Sequence, residues 1–245
     1  MSKKKKTPRP KIIMWDLETT NLNANYGYIL CGGWKELGVG KAKCKNITQF
    51  PQFKKKRTND RDLVIHLRDV LSEADMWVTW YGSRFDVPYL NSRLLYHGED
   101  PLPPIPHIDG WRVARWKMKL NSNRLQSVTQ FLGLEEKTPI LPQMWIDAMA
   151  GDRRAIRYVV EHCLQDVVVL EQVYERIKPL ITDHPNVNMV TGTPRACPVC
   201  GSISIQKRGW NVAKVRRSQR YHCQACGAWS RGRPEKHPRA DIEVR

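Results

Sequence analysis

The first indication of the fold is the segment Lys11-Ile-Ile-Met-Trp15, which is followed directly by Asp16-Leu17-Glu18. A short apolar run of this kind predicts a buried β-strand, and the acidic pair lies at its end. Alternate residues of a strand point to the same side, so the two carboxylates are expected to converge. Adjacent carboxylates repel each other, and a bound Mg²⁺ or Mn²⁺ ion, which prefers oxygen ligands, would remove that repulsion. A solvated pair of acids at a strand end is the alternative interpretation.

Two further acidic motifs follow along the chain. Tyr81-Gly-Ser-Arg-Phe-Asp86 comes after a predicted strand at residues 75–80. Asp86 lies near a predicted helix start, where a capping role is the alternative to metal binding. The third motif is Tyr158-Val-Val-Glu-His-Cys-Leu-Gln-Asp166, and its last residue lies within an apolar helical run. His162 precedes this aspartate by four residues and therefore shares its helical face, either as a functional group or as a packed histidine.

The remaining pattern predicts an α/β domain. Strands are expected at residues 28–37 and 39–50, joined as an antiparallel hairpin by a turn at Gly38. Apolar residues with helical spacing predict several helices, the last of which is expected to have one break. These helices are predicted at residues 60–71, 87–96, 109–116, 127–132, 143–149 and 152–177. This order of elements indicates a mixed sheet with helices packed on it.

Taken together, the three motifs resemble those of a known family. WDLETTNL, YGSRFDVPYL and HCLQDVVVL are similar to the exonuclease motifs of the DEDD (DnaQ-like) 3′–5′ exonuclease superfamily, whose fold is ribonuclease-H-like. The resemblance covers residues 11–180. It implies two-metal hydrolysis of phosphodiester bonds in DNA or RNA that has a free 3′ end. The implied ligands of two Mg²⁺ or Mn²⁺ ions are Asp16, Glu18, Asp86 and Asp166.

The chain departs from this family pattern at two positions. The residue that orients the attacking water is a Tyr four residues before the last Asp in one branch, and a His five residues before it in the other. Here His162 stands four residues before Asp166, and Glu161 stands five before it. We predict that His162 orients or deprotonates the water, because an imidazole can accept a proton near neutral pH. The second motif has Tyr81 where the family usually has Asn.

Other residues near the motifs are candidates for lesser roles. Thr19, Leu22 and Phe85 flank the acids and are expected to contact the 3′-terminal nucleotide, with packing beside the strand end as the alternative. Asp109 is a further acid and is interpreted as a helix N-cap rather than a catalytic group. The expected site therefore consists of four acids, His162 and these three neighbours.

A second constellation consists of two cysteine pairs. Cys197-Pro-Val-Cys200-Gly and Cys223-Gln-Ala-Cys226-Gly are separated by 22 residues, and the segment between them predicts a β-hairpin with a turn at Gly209. Four thiolates in a tetrahedron suit one Zn²⁺ ion, so this is a zinc-ribbon signature. Because the protein supplies all four ligands, the expected role of the zinc is structural. The other three cysteines are scattered along the sequence at Cys31, Cys44 and Cys163.

The composition points to a polyanionic partner. The 245 residues include 41 Lys and Arg against 24 Asp and Glu, a formal net charge of +17. In the ribbon, basic residues alternate with Trp210, Tyr221 and Trp229, a pattern typical of nucleic-acid binding. A solvated face on a ribbon that docks a replication or repair protein is the alternative. The basic residues are Lys207, Arg208, Lys214, Arg216, Arg217 and Arg220.

The compartment is expected to be reducing. The sequence contains no secretory signal and no apolar run long enough to cross a bilayer, so neither a disulfide framework nor a membrane partner is expected. A compact basic nuclease of this layout is similar to phage and bacterial proteins. This similarity implies that the protein is located in the cytoplasm of a bacterium or of a phage-infected host cell.

The chain is expected to have five segments and one main activity. The expected activity is that of a metal-dependent 3′–5′ exonuclease whose zinc ribbon assists nucleic-acid binding. Two alternatives stay open: a non-catalytic nucleic-acid-binding zinc-ribbon protein on an exonuclease-like scaffold, and a structure-selective endonuclease. The segments are a basic disordered arm (1–10), an exonuclease domain (11–181), a linker (182–196), a zinc ribbon (197–229) and a basic tail (230–245).

Overall fold

The computed structural model describes residues 9–134, 141–214 and 216–236. Most of the predicted N-terminal arm and part of the predicted C-terminal tail therefore lie outside the described residues. The chain divides into two compact units, one formed by Lys11–Arg176 and one that contains the chain from Ile177 onward. Within the described residues, no helix is both long and apolar enough to cross a membrane.

The larger unit is built on a mixed five-stranded sheet with the order β3-β2-β1-β4-β5. Strands β1, β2 and β3 pair antiparallel, whereas β4 and β5 run parallel to β1. Mixed pairing with helices on both faces confirms the predicted α/β, ribonuclease-H-like class. The strands are β1 (Ile12–Thr19), β2 (Ile29–Glu36), β3 (Lys43–Asn46), β4 (Met76–Thr79) and β5 (His107–Asp109).

Among the described residues, seven α-helices accompany this sheet. The last of them, which was expected to have a break, runs without interruption over 25 residues. The third helix, which carries Asp86, follows β4. The seventh helix, which carries Asp166, lies near the end of the unit. The helices are α1 (Pro51–Lys55), α2 (Arg61–Ser72), α3 (Asp86–Tyr96), α4 (Gly110–Lys117), α5 (Leu125–Phe131), α6 (Pro142–Met149) and α7 (Arg153–Ile177).

Two adjacent glycines of β2 allow helices to pack closely on both faces of the sheet. A Cβ atom on Gly32 would lie 2.7 Å from the methyl groups of Leu67 in α2. A Cβ atom on Gly33 would lie 2.9 Å from the Sγ atom of Cys163 in α7. Successive residues of a strand face opposite sides, so α2 and α7 cover opposite faces. The central strand β1 is consequently buried on both sides, and Met14 and Trp15 are almost fully enclosed.

A buried ion pair ties α3 to the start of β2. Asp60 is 1% exposed, and its carboxylate accepts three hydrogen bonds from two guanidinium nitrogens of Arg93, the shortest at 2.7 Å. It also accepts a hydrogen bond from the backbone N–H of Ile29 at 2.9 Å and lies 2.7 Å from Nε2 of His97. Buried charges are stable only when paired in this way. The network therefore fixes the helix that carries Asp86 against the sheet.

The structure corrects the predicted strand at residues 39–50. Only Lys43–Asn46 forms a strand, and a 3-10 helix begins at Ile47. Asn46 caps this turn, because its side chain accepts a hydrogen bond from the N–H of Thr48 while its own N–H donates to the Gln49 side chain. Pro51 then starts α1. Local capping chemistry thus ends a strand that the apolar pattern extended too far.

The smaller unit contains the cysteine pairs on a four-stranded sheet. Its hairpin is formed by β6 (Ile205–Val212) and β7 (Arg216–Cys223), which pair antiparallel. Gly209 was predicted at the hairpin turn, but it lies within β6, where the register shifts between Lys207 and Trp210 and its φ is +70°. A bulge of this kind needs the left-handed backbone that glycine tolerates. The other elements are β8 (Trp229–Arg231), β9 (Glu235–Lys236) and a short helix, α8 (Asn188–Thr191).

The stretch predicted as a linker, residues 182–196, includes α8 and bonds to the first cysteine pair. The N–H of Val187 donates to the carbonyl of Pro198 at 2.8 Å, and the Asn188 side chain donates to the carbonyl of Ala196 at 2.9 Å. These contacts belong to the smaller unit. The first of these bonds joins the segment to the turn between Cys197 and Cys200.

Candidate functional site

One cleft of the larger unit collects the four predicted acids. Asp16 and Glu18 lie on β1, Asp86 is the first residue of α3, and Asp166 lies on α7. All four line a cleft of about 570 Å³, together with His162. One ligand atom from each of Glu18, His162 and Asp166 lies within 4.8 Å of the others. The fold thus brings together acids that are far apart in the sequence.

Asp86 is held by the backbone of β1 and is not the N-cap of its helix. The N-cap position of α3 is Phe85, which makes no side-chain capping bond. The Asp86 carboxylate instead accepts a hydrogen bond from the N–H of Leu17 at 3.1 Å. Burial raises the pKa of Asp86 to about 7, and the negative charges of Asp109 and Asp166 add to this rise. A nearby cation would favour the ionised carboxylate.

His162 occupies the face of α7 that points into the cleft. Its Nε2 atom lies 3.9 Å from Oδ2 of Asp166, one helical turn later. The imidazole is 4% exposed and meets the Trp145 ring edge-on, with ring centroids 5.3 Å apart. Glu161 is exposed instead. At this register the helix therefore presents the histidine, and not the glutamate before it, to the acids.

Asp109 is the N-cap of α4, as predicted, and it also fixes the loop before Asp86. Its carboxylate accepts hydrogen bonds from the N–H of Trp111 at 3.1 Å and of Tyr81 at 2.8 Å. Tyr81 has a φ of +69°, a left-handed conformation that Asn adopts more readily than Tyr. An Asn, which the family usually has at this position, would adopt this backbone conformation with less strain. In this chain the hydrogen bond to Asp109 and the contact of the Tyr81 ring with Trp111 hold the strained residue.

The cleft walls include the three predicted nucleotide contacts and several residues that the sequence did not reveal. Thr19, Leu22 and Phe85 all line the cleft, and Leu22 is 80% exposed. Trp145 and Ile146 of α6 also line it. An amphipathic helix such as α6 is read from sequence as a core helix, so no pattern distinguished these two residues as cleft residues. The cleft therefore combines acidic groups with apolar walls.

Comparisons with known proteins identify the family of the larger unit. The model of the RNase H superfamily matches residues 13–178, which is more than half of the chain. The chain belongs to the RNase H superfamily. The match covers nearly the same residues as the motif resemblance and confirms it. Membership supports a nucleic-acid-processing nuclease.

Two polymerases contain a region similar to this RNase H superfamily member. A DNA polymerase of Methanocaldococcus jannaschii is 24% identical in an alignment of 199 residues that covers 71% of this chain and 12% of the polymerase. The family B DNA polymerase of the hyperthermophilic archaeon Pyrobaculum calidifontis superimposes with a TM-score of 0.56 and 14% identity, over 85% of this chain and 32% of that chain. The chain therefore spans about an eighth and a third of their lengths. The structural likeness shows a shared fold.

The cysteine ribbon lies beyond the RNase H superfamily match. Its four cysteines each offer an Sγ atom within 4.8 Å of the others. The Sγ atoms of Cys197 and Cys226, and those of Cys200 and Cys223, are 3.7 Å apart. A tetrahedral ion with Zn–S bonds of about 2.3 Å would hold its sulfur atoms about 3.8 Å apart. The donor set and its spacing therefore fit one Zn²⁺ ion.

The basic residues of the ribbon lie on its hairpin and differ in whether contacts within the ribbon hold their side chains. The guanidinium of Arg217 stacks over Trp210 at 4.1 Å and pairs with Glu235 at 3.0 Å. Arg220 donates to the carbonyl of Arg208 at 3.2 Å. These two guanidinium groups take part in holding the sheet. Four others have exposed side chains that can meet a polyanion: Lys207, Arg208, Lys214 and Arg216.

Proposed function

We propose that this chain is a metal-dependent 3′–5′ exonuclease that hydrolyses phosphodiester bonds of DNA or RNA. The observation that carries the proposal is the convergence of four carboxylates and His162 in one cleft of an RNase H superfamily domain. The resemblance of the three motifs to those of the DEDD exonuclease superfamily favours exonuclease action at a 3′ end.

The acids of the cleft fit a divalent metal pair. All four donors are carboxylate oxygens, the ligands that Mg²⁺ and Mn²⁺ prefer. Burial and neighbouring negative charges raise the pKa of Asp86 to about 7, so a bound cation would favour its ionised form. Asp16, Glu18, Asp86 and Asp166 would hold the ions. When bound, such ions lower the pKa of a water molecule and stabilise charge on phosphate oxygens.

In the proposed mechanism, His162 takes the proton of the attacking water or orients that water. A neutral imidazole can accept that proton through one nitrogen near pH 7. The edge-on contact with Trp145 and the neighbouring Asp166 carboxylate limit rotation of the ring. His162 therefore serves as the water-orienting group or general base, at the spacing that a Tyr has in one branch of the family.

The remaining cleft residues provide a surface for the end of a nucleic-acid strand. Phe85 offers a ring on which a base can stack, and Leu22 offers an exposed apolar contact. Thr19 lines the same cleft, and its hydroxyl donates to the backbone carbonyl of Asn21 at 2.9 Å. In the ribbon, a structural zinc ion would fix the hairpin whose exposed lysines and arginines bind phosphates.

The proposal is tested by digestion of 5′-labelled single-stranded DNA and RNA in Mg²⁺. The wild-type chain should produce a ladder of products shortened from the 3′ end, and Asp16→Asn should abolish it. Asp69→Asn removes an exposed acid of α2 and should leave the ladder unchanged. Cleavage of a closed circular substrate would instead indicate an endonuclease. Binding without any cleavage would indicate a non-catalytic nucleic-acid-binding protein.

A further inference from the structure

Three cysteines of the larger unit, scattered along the sequence, converge beside the acidic cleft. Cys31 lies on β2, Cys44 on β3 and Cys163 on α7. Their Sγ atoms all lie within 4.8 Å of one another. Cys31 and Cys163 are fully buried, and Cys44 is partly exposed. We call this cluster the thiol triad.

The strand register and one glycine create the thiol triad. Cys31 pairs with Asn46, and Gly33 pairs with Cys44, so the two cysteines are diagonal neighbours on one face of the sheet. The same face carries Gly33, whose missing side chain leaves space for Cys163. The third thiol therefore enters from α7 and meets the other two.

We propose that the thiol triad binds one soft metal ion, such as Cu⁺ or Cd²⁺, through its three sulfur atoms. Thiolates select soft ions over Mg²⁺ and Mn²⁺. A metal–sulfur distance of about 2.3 Å in a trigonal site places the sulfur atoms about 4 Å apart. The observed spacing within 4.8 Å is compatible with that arrangement. The partly exposed Cys44 provides the route by which an ion enters.

The positions of Cys31 and Cys44 fit a shared ion better than a disulfide between them. Diagonal neighbours in an antiparallel pair have their Cα atoms about 7–8 Å apart. A disulfide requires Cβ atoms within about 4.5 Å, so Cys31 and Cys44 cannot be linked without movement of the strands. An ion between the sulfur atoms needs no such movement and uses all three thiols.

Occupation of the thiol triad would act on the acidic cleft through Cys163. The Cys163 thiol donates to the backbone carbonyl of Asp16 at 3.7 Å. Its Sγ atom also lies within 4.8 Å of ligand atoms of Asp16 and Glu18. An ion that takes the Cys163 sulfur would remove this hydrogen bond and displace the residue next to His162. We expect inhibition as a result. This consequence rests on the proposed exonuclease function, whereas ion binding does not.

The experiment uses Cd²⁺ as the probe on the full chain. Excess Mg²⁺ is present so that the carboxylates are occupied, and bound Cd²⁺ is counted by native mass spectrometry and by thiolate charge-transfer absorbance. Cys44→Ser and Cys31→Ser should each bind one Cd²⁺ ion fewer than the wild-type chain. Lys45→Ser, on the same strand but facing the other side of the sheet, should bind the wild-type number. Thermal melts establish that each variant is folded.

Activity measured in the same samples tests the inhibition. Cd²⁺ should slow digestion by wild-type and Lys45→Ser chains at least about tenfold, and should have a smaller effect on Cys44→Ser. Equal Cd²⁺ counts in the wild-type, Cys44→Ser and Cys31→Ser chains would overturn the proposal. So would a disulfide within the triad in place of a bound ion. Wild-type chains that bind the extra ion but show no nuclease activity without Cd²⁺ would refute the proposed function and leave the thiol triad standing.

Discussion

The acidic cleft and the cysteine ribbon are both suited to metal ions, but they are built in opposite ways. The acids come from β1, α3 and α7, and packing of the whole larger unit positions them. The ribbon ligands lie within residues 197–226. Among the described residues, they share a small buried cluster with Val199 and Ala228, against which Ile205 packs. So small a core cannot stabilise a fold alone, and a bound ion would replace it. Metal removal should therefore cost activity in the first case and structure in the second.

The largest expected effect is that of Asp86→Asn on the cleft. Loss of one metal-binding carboxylate should reduce the rate of digestion by about a thousandfold or more. The asparagine can still accept the hydrogen bond from Leu17, so the fold should persist. Rates of digestion in Mg²⁺, beside those of Asp69→Asn, measure this effect. A rate within tenfold of the wild type would contradict the assignment of Asp86 as a ligand.

The same variant should stabilise the metal-free chain at alkaline pH. The pKa of Asp86 is raised from 3.8 to about 7 in the folded chain, so folding favours its protonated form. The stability that this group contributes is complete below about pH 4 and is lost as the pH rises through 7. In chelator, the melting temperature of the wild type should therefore fall between pH 5 and pH 8, and that of Asp86→Asn should fall less. Parallel pH profiles would show that burial of this charge does not limit stability.

The next largest effect concerns the residue that faces the acids from α7. His162→Ala should slow digestion by about a hundredfold, the usual contribution of a general base. His162→Tyr should retain more activity than His162→Ala, because a Tyr at this spacing serves one branch of the family. Glu161→Gln is the matched control, since this neighbouring side chain is exposed, and its rate should equal that of the wild type. Equal rates for the Tyr and Ala variants would argue against a water-orienting role.

A smaller effect on activity, but a larger one on structure, is expected from Cys223→Ser. Loss of one of four thiolates should prevent zinc binding and unfold the hairpin. The backbone amides of β6 and β7 should then lose protection from hydrogen exchange, whereas those of β1 and α7 should keep it. Digestion at saturating substrate should continue, because the acids lie in the other unit. Retained protection in the hairpin would show that the ribbon folds without its ion.

The smallest expected effect is that of Lys214→Ala on nucleic-acid binding. Its side chain is exposed on the ribbon, and each phosphate contact contributes about 0.9 to the slope of log affinity against log salt concentration. The variant should reduce that slope by about one contact. Lys41→Ala, an exposed lysine of the larger unit, is the control and should leave the slope unchanged. Identical slopes for both variants would remove Lys214 from the interface.

Much of the acidic cleft could be predicted from the sequence, because each acid lies in a motif with its own local signal. A strand end fixes Asp16 and Glu18, and a helical run fixes Asp166. Their convergence follows from the topology that the family resemblance implied. The N-cap role of Asp109 was likewise visible in the chain, since an Asp before a helical run is a recognised capping signal.

Other features could not be predicted because they depend on register and packing. The thiol triad requires Cys44 to lie diagonally from Cys31, and the predicted hairpin did not specify the register between its two strands. Strand β5 has only three residues, too few for any periodicity to indicate it. The end of β3 is decided by hydrogen bonds of the Asn46 side chain. Such tertiary and capping choices override the apolar pattern.

The absence of a side chain at Gly33 determines how closely α7 can pack against the sheet. Asp16 on β1 pairs with this glycine on one side, and Cys44 on β3 pairs with it on the other. The helix α7 therefore packs over a point of the sheet where a side chain is missing. A single methyl group at position 33 would act as a spacer beneath Cys163. It would raise Asp166 and His162 together, away from Asp16 and Glu18. The width of the opening between these two pairs is thus governed by a residue that has no side chain.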